Sequence, residues 1–334
     1  MRNDLRNKTD IVPFSDMVEG SYLFRWAVAE KGYKFDSSLQ ITPGFSEKQD
    51  WIDQQPPWLI PRRNSGWIYS PLLNHTLHRD FAKLVNGQDA ILQFANEYGL
   101  LGTPRVPLAP AAGGKIVFGE SLGKWQDEIG KLGRTLAIWD AVNSQYEEKL
   151  KGIVSWSDNR VDMNGWWDLQ NGRYRFLPGN RYSTPKDFTD SLPNGTIWGR
   201  ISETLASRRP EIAPNLLDEW KHGDIFAPAF YYVCKDINER LRLHAHPQVL
   251  PLRRSEIYIV PDSLLTSMWL LFMWEISGKN KLLLCPCCGL WAEQSHKRQK
   301  YCSSACRQKE YRGRNKTDKN LSSGYRKNAR WGDV

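Results

Sequence analysis

The 334-residue chain has no apolar run long enough to cross a bilayer. The longest, Leu264 to Trp274, is about half of the ~20 residues required, and Thr266 and Ser267 interrupt it. No apolar segment follows the polar opening stretch, Met1 to Asp10, so no secretory signal is expected, and the reading is a cytoplasmic protein with no membrane partner. Cysteine is nearly absent from the first 284 residues, where Cys234 stands alone; the other five of the six lie within 22 residues. In a reducing compartment such clustering points to metal rather than to disulfides. Excess charge is also missing from most of the chain. Residues 1–278 carry 32 Lys and Arg against 33 Asp and Glu, whereas Lys279 to Val334 carry 14 against 4, so the net charge of +9 arises in the last sixth. That asymmetry suggests an acidic partner, nucleic acid first, over the plainer alternative of a solubilising tail.

What is present describes a globular chain with 40% hydrophobic and 25% charged residues, long enough for two domains plus appendages. The 15 tryptophans are expected mainly in the core, with a minority free to line a pocket or stack on bases. Tyr22 to Val28 and Trp67 to Tyr69 read as short strands. Leu77, Phe81, Leu84 and Val85, then Ala90, Ile91, Phe94, Ala95 and Tyr98, form two helical stripes, the second stopped by Gly99 and Gly102. Thr103 to Gly114, with three prolines and a closing Gly-Gly, reads as a linker or a long loop. Apolar residues recur at intervals of three and four from Trp125 to Leu150, predicting one core helix over Ser121 to Leu150, about 45 Å long. Gly165 to Leu177 reads as a hairpin turning at Asn171-Gly172. Pro228 to Leu243 reads as helix and Val249 to Val260 as extended chain. Pro261-Asp262-Ser263 should cap a buried helix over Leu264 to Ile276, with Gly278 just past its end.

Directly after it, Leu282-Leu283-Leu284 delivers Cys285-Pro286-Cys287-Cys288-Gly289. Two thiolates three residues apart, followed by glycine, make a zinc knuckle, because both sulfurs must reach one ion at about 2.3 Å. Thirteen residues intervene before Cys302-Ser303-Ser304-Ala305-Cys306 offers a second pair. Ser303 is a good helix N-cap, which puts Cys306 in a first turn where the helix N-terminus favours a thiolate. The predicted ligands of one structural zinc are therefore Cys285, Cys288, Cys302 and Cys306, with Cys287 spare and His296 an exposed residue of a connecting hairpin. Lys297, Arg298 and Lys300 precede the second pair, and Arg307, Lys309, Arg312 and Arg314 follow it, interleaved with Trp291, Tyr301 and Tyr311. These seven cations are the predicted nucleic-acid contacts. An inert zinc-stapled cap is the alternative.

Over Met268 to Arg314 the chain resembles the CGNR-type zinc-finger proteins of bacteria, with Cys285, Cys288, Cys302, Ser303 and Cys306 carrying the likeness. In those proteins a zinc module follows a larger, mainly helical ABATE domain, and the family comprises stress-induced transcriptional regulators. The resemblance implies zinc ligation by the four cysteines. Where the family has Cys-Gly-Asn-Arg, this chain has Cys306-Arg307-Gln308-Lys309, so only the cysteine agrees. The expected fold is α+β, mainly α with a smaller β component: a helical body followed by a C-terminal treble-clef-like zinc module. The expected division is an N-terminal α+β region over 1–102, a mainly helical body with a β-hairpin over 115–278, the zinc-binding module over 279–316 and a basic tail over 317–334.

Other constellations fail. Gly119 to Lys124 has one residue too few between its glycines for a phosphate-binding loop, and Trp125 stands where Ser or Thr would meet magnesium. Asp162 to Gly165 hints at a calcium loop, but Arg160 would hold its first ligand position. His244 and His246 with Cys234 read as a loop rather than a metal site. A His-metal finger nuclease would need both general-base and ligand roles from His296 alone. The sequence thus points to a DNA-binding transcriptional regulator rather than an enzyme. RNA binding, or docking of an acidic protein partner by a scaffold, are the alternatives.

Overall fold

The structure, a computed structural model, describes residues 24–42, 54–63, 65–84, 87–102, 106–111, 114–170, 173–178, 198–209, 211–250 and 256–312. They form an α+β fold in two units, Met1–Met273 and Trp274–Val334. The first joins the two regions that the sequence separates at 103–114.

The reason lies in that segment. Instead of a linker, it supplies strand β6 (Val106–Pro110), an inner member of a five-stranded antiparallel sheet. Its neighbours are β2 (Tyr33–Asp36), β3 (Leu39–Ile41), β4 (Trp58–Pro61) and β7 (Val117–Ser121), in the order β2-β4-β7-β6-β3. Prolines are tolerated there because the ladder does not need their N–H groups. Pro110 closes the overlap with β3, and Pro107 lies just beyond its other end, its carbonyl accepting from Thr42 N at 2.9 Å. Val106 and Leu108 are buried with Leu39, Trp58 and Ile60 as the core of this sheet. β1 (Trp26–Ala29) and β5 (Gly66–Tyr69), both expected, pair with each other.

Two helices follow as expected, α1 (Leu77–Ala82) and α2 (Gln88–Tyr98). Gly99, at φ 95°, ends α2 in a conformation that other residues avoid, and its N–H reaches Ala95 O at 2.8 Å. α3 (Leu122–Asn143) leaves β7 directly, capped by Ser121 Oγ, which accepts from Lys124 N at 3.2 Å. The predicted stripe, Trp125, Ile129, Leu132 and Leu136, is buried, and so is Ile138 on the other side. The long-helix expectation is corrected at its end. Gln145, at φ 55°, breaks the chain, Tyr146 is exposed, and a separate α4 (Glu147–Lys151) follows. α3 alone is 22 residues, about 33 Å.

The body holds more strand than its single predicted hairpin. β9 (Arg160–Gln170) and β10 (Arg173–Pro178) are that hairpin, but β8 (Val154–Ser157) and β11 (Trp198–Ser207) also pair with β9. The turn residues Asn171 and Gly172 lie outside the described residues, as do Val85, Asn86 and Pro104. After α5 (Leu216–Glu219) come α6 (Phe226–Leu241), the hairpin β12 (Ala245–Leu250) and β13 (Glu256–Pro261), and α7 (Leu264–Ile276). α7 is capped as predicted: Ser263 Oγ accepts from Thr266 N at 3.1 Å, and Asp262 accepts the Thr266 hydroxyl. Among the described residues no helix is long and apolar enough to cross a membrane.

One buried carboxylate ties strand, loop and helix together. Glu120, 1% exposed, accepts from Leu101 N (2.9 Å), Gly102 N (2.7 Å) and Trp125 Nε1 (2.9 Å). Removing it would strand three donors, each costing about 1–3 kcal/mol if left unsatisfied. Glu120→Ala is therefore expected to lower unfolding stability by about 3 kcal/mol or more in urea titration, whereas Phe118→Ala, at a 53% exposed neighbour, should change it little.

Candidate metal centre and the basic segments beside it

The second unit builds its site from two local signals. β14 (Leu282–Leu284) pairs with β15 (Trp291–Glu293), and the first cysteine pair occupies the turn between them. Cys285 N donates to Leu290 O at 2.9 Å and Gly289 N to Cys285 O at 2.8 Å, closing the knuckle. Gly289 sits at φ 69°, so the glycine after the pair supplies the left-handed residue of the turn. The second pair straddles the start of a helix, α8, described over 304–312. Ser303 caps it as predicted, its Oγ accepting from Cys306 N at 3.2 Å.

The four expected sulfurs converge. Cys285, Cys288, Cys302 and Cys306 all lie within 4.8 Å of one another, with Cys288–Cys302 and Cys302–Cys306 each at 3.5 Å. Four sulfurs about 2.3 Å from a shared tetrahedral ion would be spaced roughly 3.8 Å apart, so the donor set fits a metal ion. Among the described residues no other group of three or more His, Cys, Asp or Glu side chains comes together in this way.

The cluster's protons are unevenly held. Burial would raise the Cys285 thiol, but backbone N–H groups of Cys302, Cys288 and Cys287 donate toward its sulfur and bring it down to about 6. The Ser303 hydroxyl, followed by Cys302, lowers Cys306. Cys302 is pushed up to about 12 by burial and by the sulfurs of Cys306, Cys288 and Cys285. Cys302 thus holds its proton more tightly than Cys285 or Cys306, and a cation placed among the four sulfurs would displace it. Cys287 stands outside the four. Burial and Cys306 raise its thiol, against the opposing charge of Lys309.

Beyond β15, the segment joining the pairs is not the expected hairpin. It is a turn-rich loop organised by Gln299, which the sequence reading overlooked. Gln299 Oε1 accepts from Ser295 N and Ser295 Oγ, both at 2.8 Å, while its Nε2 donates to Glu293 O (3.3 Å) and Tyr301 O (3.2 Å). Lys297, Arg298 and Lys300 project from this loop, and Arg307, Lys309 and Arg312 from α8; all six are exposed. No carboxylate among the described residues forms an ion pair with any of them. Arg314 and the 317–334 tail lie outside the described residues. His296 is exposed and takes no part in the sulfur cluster, and Tyr311 is 67% exposed.

The segments that failed as motifs are occupied structurally. Asp162 to Gly165 lie within β9, and His244 Nδ1 pairs with Asp262 at 2.7 Å. Gly119-Glu120-Ser121-Leu122-Gly123 also spells the G-x-S-x-G spacing of a nucleophile elbow at a strand-to-helix junction, which a reading as a phosphate loop misses. Yet Ser121 is buried, has an unstrained φ of −74° and ψ of 149°, and spends its hydroxyl on the helix cap. That serine is a cap, not a nucleophile.

Comparison with known families, curated proteins and solved structures finds no match to this chain.

The geometry separates four cysteines from the fifth. Elemental analysis of the purified chain is expected to give about one thiolate-binding metal ion per molecule. Cys287→Ala should keep it, whereas Cys302→Ala paired with Cys306→Ala should lose it, and acidification should release it as the thiolates protonate.

Proposed function

We propose that this protein binds nucleic acid, duplex DNA first, through a zinc-stabilised basic module, and that it acts as a transcriptional regulator in the cytoplasm. The observation that carries the reading is the placement of Lys297, Arg298, Lys300, Arg307, Lys309 and Arg312. They are exposed, lack carboxylate partners among the described residues, and stand on the two segments that the four cysteines tie to one point.

Zinc suits the donor set because four thiolates complete a tetrahedral sphere and leave no open position for water or substrate. Its role is structural. Cys285 and Cys288 would hold it from the knuckle, with Cys302 and Cys306 holding it from the helix start, the two ligand sources of a treble-clef-like module. This is also the arrangement implied by the resemblance to CGNR-type zinc-finger proteins. That family's Gly-Asn-Arg is replaced by Arg307-Gln308-Lys309, so contacts in this chain fall to longer, charged side chains. Such cationic side chains neutralise phosphates, and most of the affinity would be electrostatic.

Fluorescence anisotropy on duplex DNA and RNA across a salt series tests this. If the six cations meet phosphates, log K against log salt should fall with a slope of about −5, and Arg307→Gln, Lys309→Gln and Arg312→Gln together should flatten it by about 3. Stronger competition by RNA would reassign the ligand, and capture of an acidic protein that survives nuclease would favour the scaffold alternative. Absence of binding at low salt would refute nucleic-acid recognition.

A further inference from the structure

The first unit contains a cleft of about 280 Å³ between β11 and α6, with α3 contributing Arg134. That is the lower end of the size range of small-molecule sites. Nothing about it depends on the basic module.

Its cations are held in an unusual way. The Arg134 guanidinium lies 5.9 Å from the Trp167 ring centroid and 5.8 Å from that of Tyr232; Arg240 lies 5.8 Å from Trp269. Aromatic rings therefore position both groups. Carboxylates do not complete them. Arg134 Nη2 is 3.6 Å from Asp236, and Arg240 is 3.8 Å from both Asp236 and Glu128, well beyond the ~2.7–2.9 Å of a charge-assisted hydrogen bond. Neither guanidinium donates a hydrogen bond to any described group, and Arg134 Nε is buried without a partner. The same protein closes Arg79 fully, with two bonds to Asp140 at 2.9 and 3.1 Å. Both cleft arginines are substantially withdrawn from water, their side chains being 15% and 29% exposed.

The nearby acids are already engaged. Asp236 accepts the Thr135 hydroxyl, Glu203 is bonded to Lys235, and Glu128 is taken by Lys124 at 2.8 Å with Lys131 at 3.6 Å. Arg134, Arg240, Lys124 and Lys131 thus share Asp236, Glu128 and Asp127, the last bonded to Lys131 at 2.5 Å, which leaves one positive charge in excess. The rest of the lining is balanced, with Arg200 and Lys235 against Glu203 and Glu239.

We propose that this cleft binds a small organic anion, a phosphate ester or carboxylate, through forked hydrogen bonds from Arg134 and Arg240. The two ligand types share one chemistry: adjacent oxygens that accept the paired N–H groups of a guanidinium. Glu203 and Glu239 at the wall are placed to accept from hydroxyl groups on the rest of such a molecule.

Isothermal titration of the full chain with inorganic phosphate and with citrate, at constant ionic strength set by chloride, tests the site. Saturable binding of at least one is expected. Arg134→Gln and Arg240→Gln should each weaken it roughly tenfold or more. Arg240→Lys, which keeps the charge but not the fork, should weaken it as well and serves if Arg134→Gln fails to fold. The Arg307→Gln/Lys309→Gln/Arg312→Gln protein should bind the anion as the parent does. No saturable heat with either anion, undiminished affinity in the arginine variants, or loss of binding in the triple variant would overturn the proposal. These readouts stand whether or not the chain binds nucleic acid.

Discussion

Convergence of four sulfurs is the constraint on which the second unit depends. Among its described residues, only Trp274, Asn280 and Cys285 are buried, while Leu284, Leu290 and Tyr311 stand exposed. A segment with so little apolar interior has little hydrophobic burial to offset the entropy of ordering its backbone. Hydrogen bonds supply local shape: the Gln299 amide fixes the loop, Ser303 starts the helix, and Gly289 turns the knuckle. None of these pulls the knuckle and the helix together. The sulfurs do, and they repel one another as thiolates unless a cation sits among them.

That constraint bears on the charge of the chain. Exposed lysines and arginines on a free tail present no fixed surface, because each side chain and each backbone residue moves independently. Anchoring the 294–301 loop and the start of α8 to one point confines six of them to one small unit. The excess charge outside Lys279 to Val334 is near zero, so a long-range attraction for polyanions would originate in this unit and weaken with salt. The cleft in the first unit follows a different logic. There rings, rather than a metal, hold the guanidiniums in place, and the number of charges is small.

The cysteine site was legible because its signals are short-range. The C-x2-C pair, its following glycine and the serine cap each act within a few residues, and the structure uses them as the spacing implies. The caps at Ser121 and Ser263 and the stop at Gly99 belong to the same class. What escaped is non-local. β6 reads as a loop because its prolines argue against an inner strand, and only its offset pairing with β3 makes them harmless. β11 acquires strand character from β9, which it meets from some forty residues away. The break at Gln145 interrupts an apolar period that continues through it in sequence. Gln299 has no motif, and the cage around Arg134 unites Trp167 and Tyr232 from distant segments.

Hydrogen–deuterium exchange on the full chain, before and after chelation and again after adding zinc, tests the central claim most directly. Amides over residues 285–306 should lose protection when the metal is removed and regain it with zinc, while those of α3 remain unchanged. Protection of 285–306 that persists in the fully stripped protein would contradict a metal-organised module.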